Sequence, residues 1–326
     1  MNAVRLTNRI HSKGFAETVY VLCVFLAFVF VGSGNMDWLR RASGTPLPSA
    51  NLWFPAGIWS FAASMAANMA CVALVYVINR FFNIIRTPSY LPVALFGIMQ
   101  LATPDLFSQF YTGTLLALVG GVSMILLFSC FKNPGATSRV FLAFFLVSLA
   151  SMFKYCFFFF IPVLLIGCAQ MRVFTPRSLT AAFLGLITPW WILLGFGVLK
   201  LSDVEFPIFQ SIFSVIDFGD AFMLMLVGGV TVVFALASFI LNGRTTIAYN
   251  SRTRSYNGLL AVMTLAAIAG LCADYVNFIS YIPLLNFCAA YHVGHYFSAH
   301  RAGKSYIGVI GVIALYSGFY ICQILI

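Results

Sequence analysis

Long apolar stretches separated by short polar segments run through the whole sequence. A helix of about 20 apolar residues crosses the hydrocarbon core of a membrane. On this basis the pattern predicts eleven membrane-spanning helices, at about 15–33, 53–79, 89–103, 107–131, 139–153, 155–170, 178–199, 220–241, 257–273, 279–298 and 304–325. The expected fold is an all-α, polytopic transmembrane bundle that forms a single integral membrane domain over residues 1–326.

Three of the predicted helices, at 89–103, 139–153 and 155–170, are short. A helix of about 15 residues rises about 22 Å. That is less than the thickness of the hydrocarbon core, which is about 30 Å. The short helices therefore predict a thinned or cavity-lined region in the bundle.

The composition agrees with a membrane protein and excludes an ordinary soluble domain. Hydrophobic residues make up 62% of the chain and charged residues only 8%, whereas soluble domains carry about 25% charged residues. The net charge of +10 is spread in small basic groups between apolar segments, as in the cytoplasmic loops of membrane proteins. Membrane lipids are therefore the expected partners, and nucleic acid is not.

A single lysine, Lys154 in SMFKYCFFFFIP, separates the fifth and sixth predicted helices. With a cytoplasmic N-terminus, 14 of the 18 basic residues lie inside, and those left outside are Arg40, Arg41, Lys154 and Lys200. One span over 139–170 would instead invert every later loop, leaving eight basic residues inside, nine outside and Lys154 in mid-membrane. The positive-inside rule favours the first arrangement. The sequence thus predicts a hairpin with Lys154 at its outer tip and a C-terminus outside.

Candidate chemistry lies at the outer ends of the predicted helices. This topology puts Asp37, Asp105 and Asp274 there, each next to a different helix. An enzyme acting on a lipid-phosphate-linked sugar needs a carboxylate base near the acceptor and cations or a metal near the phosphate. The three aspartates are therefore candidate catalytic residues, and a divalent cation bound by them is compatible with this chemistry.

Basic residues in the same region are candidates for binding the phosphate. They are Lys154, Arg40 and Arg41. The alternative interpretation is that all these charges simply lie where helices meet water, since no motif spacing links them. Only Lys154, at the tip of a short hairpin, lies deep enough to be unusual for a membrane protein.

Two histidines, His292 and His295, share a helix face near the inner end of the tenth predicted helix. Their spacing suits metal or haem binding, but two ligands are too few and no H-E-x-x-H motif accompanies them. Interfacial histidines that face lipid headgroups are the simpler interpretation. The sequence therefore predicts no metal site at these histidines, and no cofactor apart from the divalent cation that is compatible with the outer carboxylates.

One segment resembles a known family. It is KYCFFFFIPVLLIGCAQMRVFTPRSLTAAFLGLITPWWILLGF, with an aromatic run before Pro162, the basic pair Arg172 and Arg177, and the stretch from Gly185 to Pro189. It is similar to the central part of an uncharacterised bacterial inner-membrane family, a domain of unknown function, some of whose members carry a carotenoid-monooxygenase label. The resemblance implies a multi-pass protein of the bacterial inner membrane without an established activity.

The layout is also similar, more distantly, to C-type glycosyltransferases and glycan polymerases. Their helices start inside, and they carry an acidic residue in the first outer loop, here Asp37, above short helices. This chain departs from them because its first outer loop, 34–52, has only about 19 residues. A carotenoid oxygenase is disfavoured, since four histidines split between His11 and the 292–300 cluster cannot reproduce a four-histidine iron site.

These features favour a protein that transfers or polymerises polyprenyl-phosphate-linked sugars on the outer side of the membrane. A non-catalytic membrane component of an envelope or secretion assembly is the alternative, and a small-molecule or lipid transporter is the third. Whether the chain is an enzyme stays open at this point. A transferase should not tolerate Asn at Asp37 and Asp105, whereas a scaffold should.

Overall fold

The computed structural model describes residues 3–31, 47–87, 89–199, 210–212, 221–300 and 305–325, and these residues form helices and no β-strand. The α-helices are α1 (Ala3–Ile10), α2 (Lys13–Phe28), α3 (Ile58–Phe82), α4 (Leu91–Leu101), α5 (Pro104–Ser108), α6 (Thr112–Phe128), α7 (Thr137–Ser151), α8 (Phe160–Gln170), α9 (Pro176–Gly195), α10 (Phe222–Ile247), α11 (Ser251–Ala273), α12 (Phe278–Ala299) and α13 (Ser305–Leu325). Short 3-10 helices cover Ala50–Leu52, Tyr155–Phe159 and Tyr275–Asn277. The predicted all-α class is confirmed.

A helix is present at each of the eleven positions that the apolar pattern predicts. Among the described residues, five helices are long and apolar enough to cross a membrane, namely α3, α9, α10, α11 and α13. Other apolar helical runs are shorter, namely α4, α6, α7 and Tyr155–Gln170. The five long helices identify the chain as a helical membrane protein.

Helix α12 lies at the centre of the bundle. Nineteen of its 22 residues are buried, and it packs against α4, α6, α10, α11 and α13. Because its side chains contact protein rather than lipid, it carries polar residues such as Asn286, His292 and His295 that a lipid-facing helix would exclude. Its high polar content is therefore a consequence of its central position.

The short helix α4 is also central, since all of its 11 residues are buried. A helix of this length rises only about 16 Å. Non-helical backbone at membrane depth is tolerated where protein surrounds it. Side-chain amides tie α4 to its neighbours: Asn286 Nδ2 donates to Gln100 Oε1 at 2.8 Å, and Gln100 Nε2 donates to Asn68 Oδ1 at 3.1 Å. This polar chain links α12, α4 and α3 inside the bundle.

Helices α7 and α9 approach each other closely through Gly185. A Cβ at this position would lie 2.5 Å from the backbone oxygen of Phe141, so only glycine fits there. Ser148 Oγ also donates to the Leu186 carbonyl at 2.6 Å. Trp191 of α9 and Phe196, the residue after its end, are 74% and 81% exposed, and these large apolar side chains suit contact with lipid.

The helix is broken around Lys154. Helix α7 ends at Ser151, the 3-10 helix Tyr155–Phe159 follows, and α8 begins at Phe160. Helices α7 and α8 pack against each other. The stretch 139–170 is therefore two helices joined at Lys154, as the hairpin interpretation predicts, and not one long helix.

Candidate functional site around Lys154 and Asp274

Lys154 is a buried lysine in the turn that joins α7 to the 3-10 helix Tyr155–Phe159. Its backbone is extended, with φ −161° and ψ 134°, and its residue surface is only 4% exposed. The 3-10 helix that follows it packs against α7, α8 and α11. Lysine is almost never buried to this degree unless it is paired, so its surroundings require an explanation.

Asp274 lies next to this turn, at the end of α11, and is fully buried. Its Oδ1 accepts a hydrogen bond from the Tyr155 hydroxyl at 2.9 Å, and its Oδ2 accepts one from the Tyr281 hydroxyl at 3.0 Å. Asn277 Nδ2 donates to both oxygens, at 3.0 and 3.3 Å, and also donates to the Tyr155 hydroxyl. Three side chains from three segments therefore hold the carboxylate in place.

The sequence of α11 makes room for this arrangement. The Asp274 amide donates to the Gly270 carbonyl at 2.9 Å, which closes the last turn of the helix. The ring of Tyr281 occupies the space in which a Cβ of residue 270 would lie. Glycine at position 270 therefore allows the Tyr281 hydroxyl to reach Asp274.

Lys154 is not paired directly with Asp274. No carboxylate oxygen of the described residues lies within 4.0 Å of the Lys154 ammonium, and the ion pair found among them joins Lys13 and Glu17. Burial lowers the pKa of Lys154, and the negative charge of Asp274 acts in the opposite direction. The carboxylate is thus a nearby counter-charge whose hydrogen bonds go to Tyr155, Asn277 and Tyr281.

This geometry leaves the ammonium of Lys154 with N–H groups that no described carboxylate accepts. A lysine ammonium has three donors. A carboxylate has about four lone-pair sites, and the Tyr155 hydroxyl, the Tyr281 hydroxyl and the Asn277 amide, which contacts both oxygens, use most of them. The cluster is therefore suited to binding an anion at Lys154, and it is poorly suited to proton abstraction by Asp274.

The structure does not place Asp105 in this cluster. Asp105 lies half-buried in the first turn of α5, which packs against α2, α3 and α4. Burial raises the pKa of its carboxyl group. Of the other predicted site residues, Asp37, Arg40 and Arg41 lie outside the described residues. Lys154 and Asp274 are the two that the structure brings together.

Sequence analysis missed the three partners of Asp274. Asn277 and Tyr281 follow it by three and seven residues in DYVNFISY, so the signal for these two partners was their closeness to Asp274 along the chain. Tyr155 stands 119 residues away in the chain. Its only signal is its position beside Lys154.

Within the part of the chain that the structure describes, no group of three or more His, Cys, Asp or Glu side chains is arranged to hold a metal ion. The two histidines of α12 pair with hydroxyl groups instead. His292 Nε2 lies 3.0 Å from Thr264 Oγ1, and His295 Nε2 lies 2.8 Å from the Tyr249 hydroxyl. The hydroxyl partners fix both rings inside the protein.

In comparisons with known proteins, no family model, no curated protein and no solved structure matches this chain. The resemblances drawn from its sequence stay predictions. The residues around Lys154 and Asp274 are therefore the basis for any functional assignment.

Proposed function

We propose that this chain is a multi-pass protein of the bacterial inner membrane that binds polyprenyl-phosphate-linked sugars on the outer side and transfers or polymerises them. The proposal includes eleven spans, a cytoplasmic N-terminus and Lys154 at the outer side. It is supported by helices at all eleven predicted positions and by the 14-to-4 distribution of basic residues.

The observation that carries the proposal is the buried ammonium of Lys154, which forms no ion pair with a carboxylate of the described residues. Moving an ammonium out of water costs several kcal/mol unless a partner compensates, and Asp274, a countercharge among the described residues, accepts its hydrogen bonds from Tyr155, Asn277 and Tyr281 instead. Such a lysine is a typical functional-site residue. A lipid phosphate would supply the missing acceptors and the missing negative charge.

Aromatic side chains next to this turn suit an amphipathic ligand. Phe153, the residue before Lys154, packs edge-to-face on Trp53, with ring centroids 4.8 Å apart, and Trp53 stacks on Phe110 at 5.9 Å. On the other side, the half-exposed Phe158 stacks on Trp190 at 6.1 Å. Tryptophan and tyrosine are enriched at membrane interfaces. The turn is thus bordered by rings that can contact an isoprenoid chain or a sugar face.

Within this proposal Asp274 is a positioning residue and a countercharge. It holds Tyr155, the neighbour of Lys154, and offsets part of the cost of burying the ammonium. The base that a sugar transfer requires would have to come from Asp37 or Asp105. A half-buried carboxyl group with a raised pKa, such as that of Asp105, is a better base than an ordinary aspartate.

A non-catalytic membrane component is the second candidate, because the structure keeps Asp105 apart from the Lys154 cluster. In that case Lys154 would bind the phosphate of a lipid without any reaction following. Replacing Asp105 by Asn separates the two functions. A transferase that uses this carboxylate should lose activity in the variant, and a scaffold should not.

The functional test is complementation of a deletion strain. Lys154→Gln should abolish complementation because it removes the positive charge, and Lys154→Arg should retain part of it. Lys132→Gln is the matched control, since Lys132 is exposed. A fluorescent fusion at the N-terminus, which the proposal places in the cytoplasm, shows whether each variant is present at the wild-type level. If Lys154→Gln is made at that level and complements fully, the proposal is wrong.

A further inference from the structure

A second candidate site lies at the end of α3 that is remote from Lys154. A cavity of about 260 Å³ opens where α3 ends and α4 begins, and its lining includes two arginines and two tyrosines, namely Tyr76, Arg80, Arg86 and Tyr90. Helix α3 starts at Ile58, five residues after Trp53, whose ring contacts the neighbour of Lys154. Arg80 lies 22 residues after Ile58, or about 33 Å along the helix axis. The cavity is therefore separate from the Lys154 cluster.

Tyrosine side chains hold both arginines of the cavity in place. Arg80 Nη1 donates to the Tyr76 hydroxyl at 2.7 Å, and the guanidinium lies over the Tyr76 ring, 5.8 Å from its centroid. The guanidinium of Arg86 lies over the ring of Tyr249, 5.2 Å from its centroid. A guanidinium has five N–H donors, and these contacts leave most of them available to a ligand.

Neither arginine has a carboxylate partner within the part of the chain that the structure describes. The acidic residues of that part are Glu17, Asp105 and Asp274. Glu17 pairs with Lys13, and Asp105 follows the end of α4 that is remote from the cavity. Two positive charges that line one cavity repel each other, so an anion that contacts both is favoured there.

The residues that lead into α4 are fastened to their neighbours. Asn79 Nδ2 donates to the Ser89 carbonyl at 2.8 Å, and the Tyr90 amide donates to the His11 carbonyl at 3.2 Å. The ring of Tyr90 stacks on that of Tyr76, with centroids 5.8 Å apart. The cavity is thus built before any ligand arrives, and a preformed site loses less entropy on binding.

The face of α3 that leads to the cavity is exposed and apolar. Met69 and Ala73 are exposed, and they precede Tyr76 and Arg80 in steps of four, three and four residues. Such a spacing keeps the four side chains on one helix face. An acyl chain can lie along this face, and the arginine at its end then meets the headgroup. The cavity therefore suits a membrane lipid better than a soluble anion.

We propose that this cavity binds the headgroup of a phospholipid with a net negative charge, with the phosphate at Arg80 and Arg86 and an acyl chain along Met69 and Ala73. Guanidinium groups suit bidentate contact with a phosphate. Basic pockets between transmembrane helices on the cytoplasmic side bind anionic headgroups, and the proposed topology puts this end of α3 in the cytoplasm. The cavity has several times the roughly 30 Å³ that one water molecule occupies, so a phosphate group fits inside it.

The test is calorimetric binding to the purified full-length protein in a non-ionic detergent. The probes are dihexanoyl phosphatidylglycerol, dihexanoyl phosphatidylcholine and glycerol phosphate. We expect phosphatidylglycerol to bind about tenfold more tightly than phosphatidylcholine, whose ammonium group cancels the charge of its phosphate beside two arginines. Glycerol phosphate should bind more weakly than phosphatidylglycerol because it has no acyl chains. If it binds as tightly, the site takes a soluble phosphate ester and the lipid assignment is wrong.

Variants locate the site. Arg80→Gln and Arg86→Gln should each weaken the binding of phosphatidylglycerol by about fivefold or more, and the double variant should lose the preference over phosphatidylcholine. Both side chains are exposed, so neither substitution should change the Tm in detergent.

Arg252→Gln is the matched control for these variants. Arg252 is also exposed, donates to a tyrosine hydroxyl four residues away, that of Tyr256, at 2.6 Å, and lies over its ring, but it does not line the cavity. Its replacement removes the same charge and should change the affinity less than about twofold. An equal loss in Arg252→Gln, unchanged binding in the double variant, or equal affinity for the two lipids would overturn the proposal.

Discussion

The ring of Tyr281 fills the space above Gly270, and this contact lets the Tyr281 hydroxyl donate to Asp274 at 3.0 Å. A residue in the last turn of α11 thus controls a hydrogen bond made by a residue of α12. The carboxylate held by this bond lies near Lys154. Of the three candidate phosphate-binding residues, Lys154 is the one that lies within the described residues. The local packing of α11 and α12 and the proposed ligand site are therefore connected.

Gly270→Ala should destabilise the protein. The added methyl group would displace the Tyr281 ring, and overpacking of this kind costs about 1–3 kcal/mol, more than the gain of up to about 1 kcal/mol from replacing glycine in a helix. Gly229→Ala is the control, because a Cβ at position 229 of α10 meets no atom within 4 Å. Thermal unfolding in detergent should show a lower Tm for Gly270→Ala only, and equal Tm values would contradict the packing described.

Lys154 and Asp274 should be energetically coupled although they form no direct ion pair. Asp274→Asn removes the countercharge and puts an NH2 group in place of one of the two oxygens that accept from the tyrosine hydroxyls, so it should destabilise the protein by about 1–3 kcal/mol. When Lys154 is already replaced by Met, Asp274→Asn should lower the free energy of unfolding by less. The difference between the two losses, which is the coupling energy, should be about 0.5–3 kcal/mol.

The same double-mutant cycle with Asp105→Asn provides the control. Asp105 lies on α5, apart from the Lys154 cluster, so its effect should add to that of Lys154→Met within about 0.5 kcal/mol. If the changes in the free energy of unfolding caused by the Lys154 and Asp274 substitutions also add, the two groups do not interact.

The apolar pattern predicts the positions of the helices and the break at Lys154 because these depend on local features, namely the length of each apolar run and a lone charge inside it. It does not predict which helices are central. Lipid tails are as apolar as leucine side chains, so a buried helix such as α4 and a lipid-facing helix such as α9 differ little in pattern.

The candidate site was predictable only in part for a related reason. Lys154 and Asp274 stand out as charges in apolar surroundings, and the structure brings them together. The hydrogen bond from Tyr155 to Asp274 joins residues far apart in the sequence, and nothing in local spacing encodes such a contact. Asp105, which looks equivalent to Asp274 in sequence, packs against a different set of helices.

The proposed topology should be visible by cysteine labelling. Val276 is 58% exposed just after α11, and Asn250 is exposed just before it. In a chain whose eight cysteines are replaced by alanine or serine, a cysteine at 276 should react with an impermeant thiol reagent in intact spheroplasts. A cysteine at 250 should react only after lysis, and so should one at the exposed Asn133. Labelling of position 250 from outside would contradict the proposed orientation.

Phosphate binding at Lys154 should depend on pH. The phosphate needs the protonated amine, and burial lowers the pKa of Lys154 from the ordinary value of 10.5. Affinity should therefore fall as the pH rises through this lowered pKa, at a lower pH than an exposed lysine would produce. Lys154→Arg should bind without this fall, since arginine stays protonated. If the affinity of Lys154→Arg falls with rising pH in the same way as that of the wild type, the pH dependence belongs to another group.

The most direct test of the account is the affinity of the purified protein, in lipid nanodiscs, for a polyprenyl phosphate compared with the uncharged polyprenol. A hydrogen bond to a charged group contributes about 1.5–3 kcal/mol, which corresponds to roughly a 10- to 100-fold change in Kd. The account predicts that the wild type binds the phosphate more tightly than the alcohol by about this factor, and that Lys154→Gln removes the difference while Lys132→Gln keeps it. Equal affinity of Lys154→Gln and the wild type for the polyprenyl phosphate would contradict it.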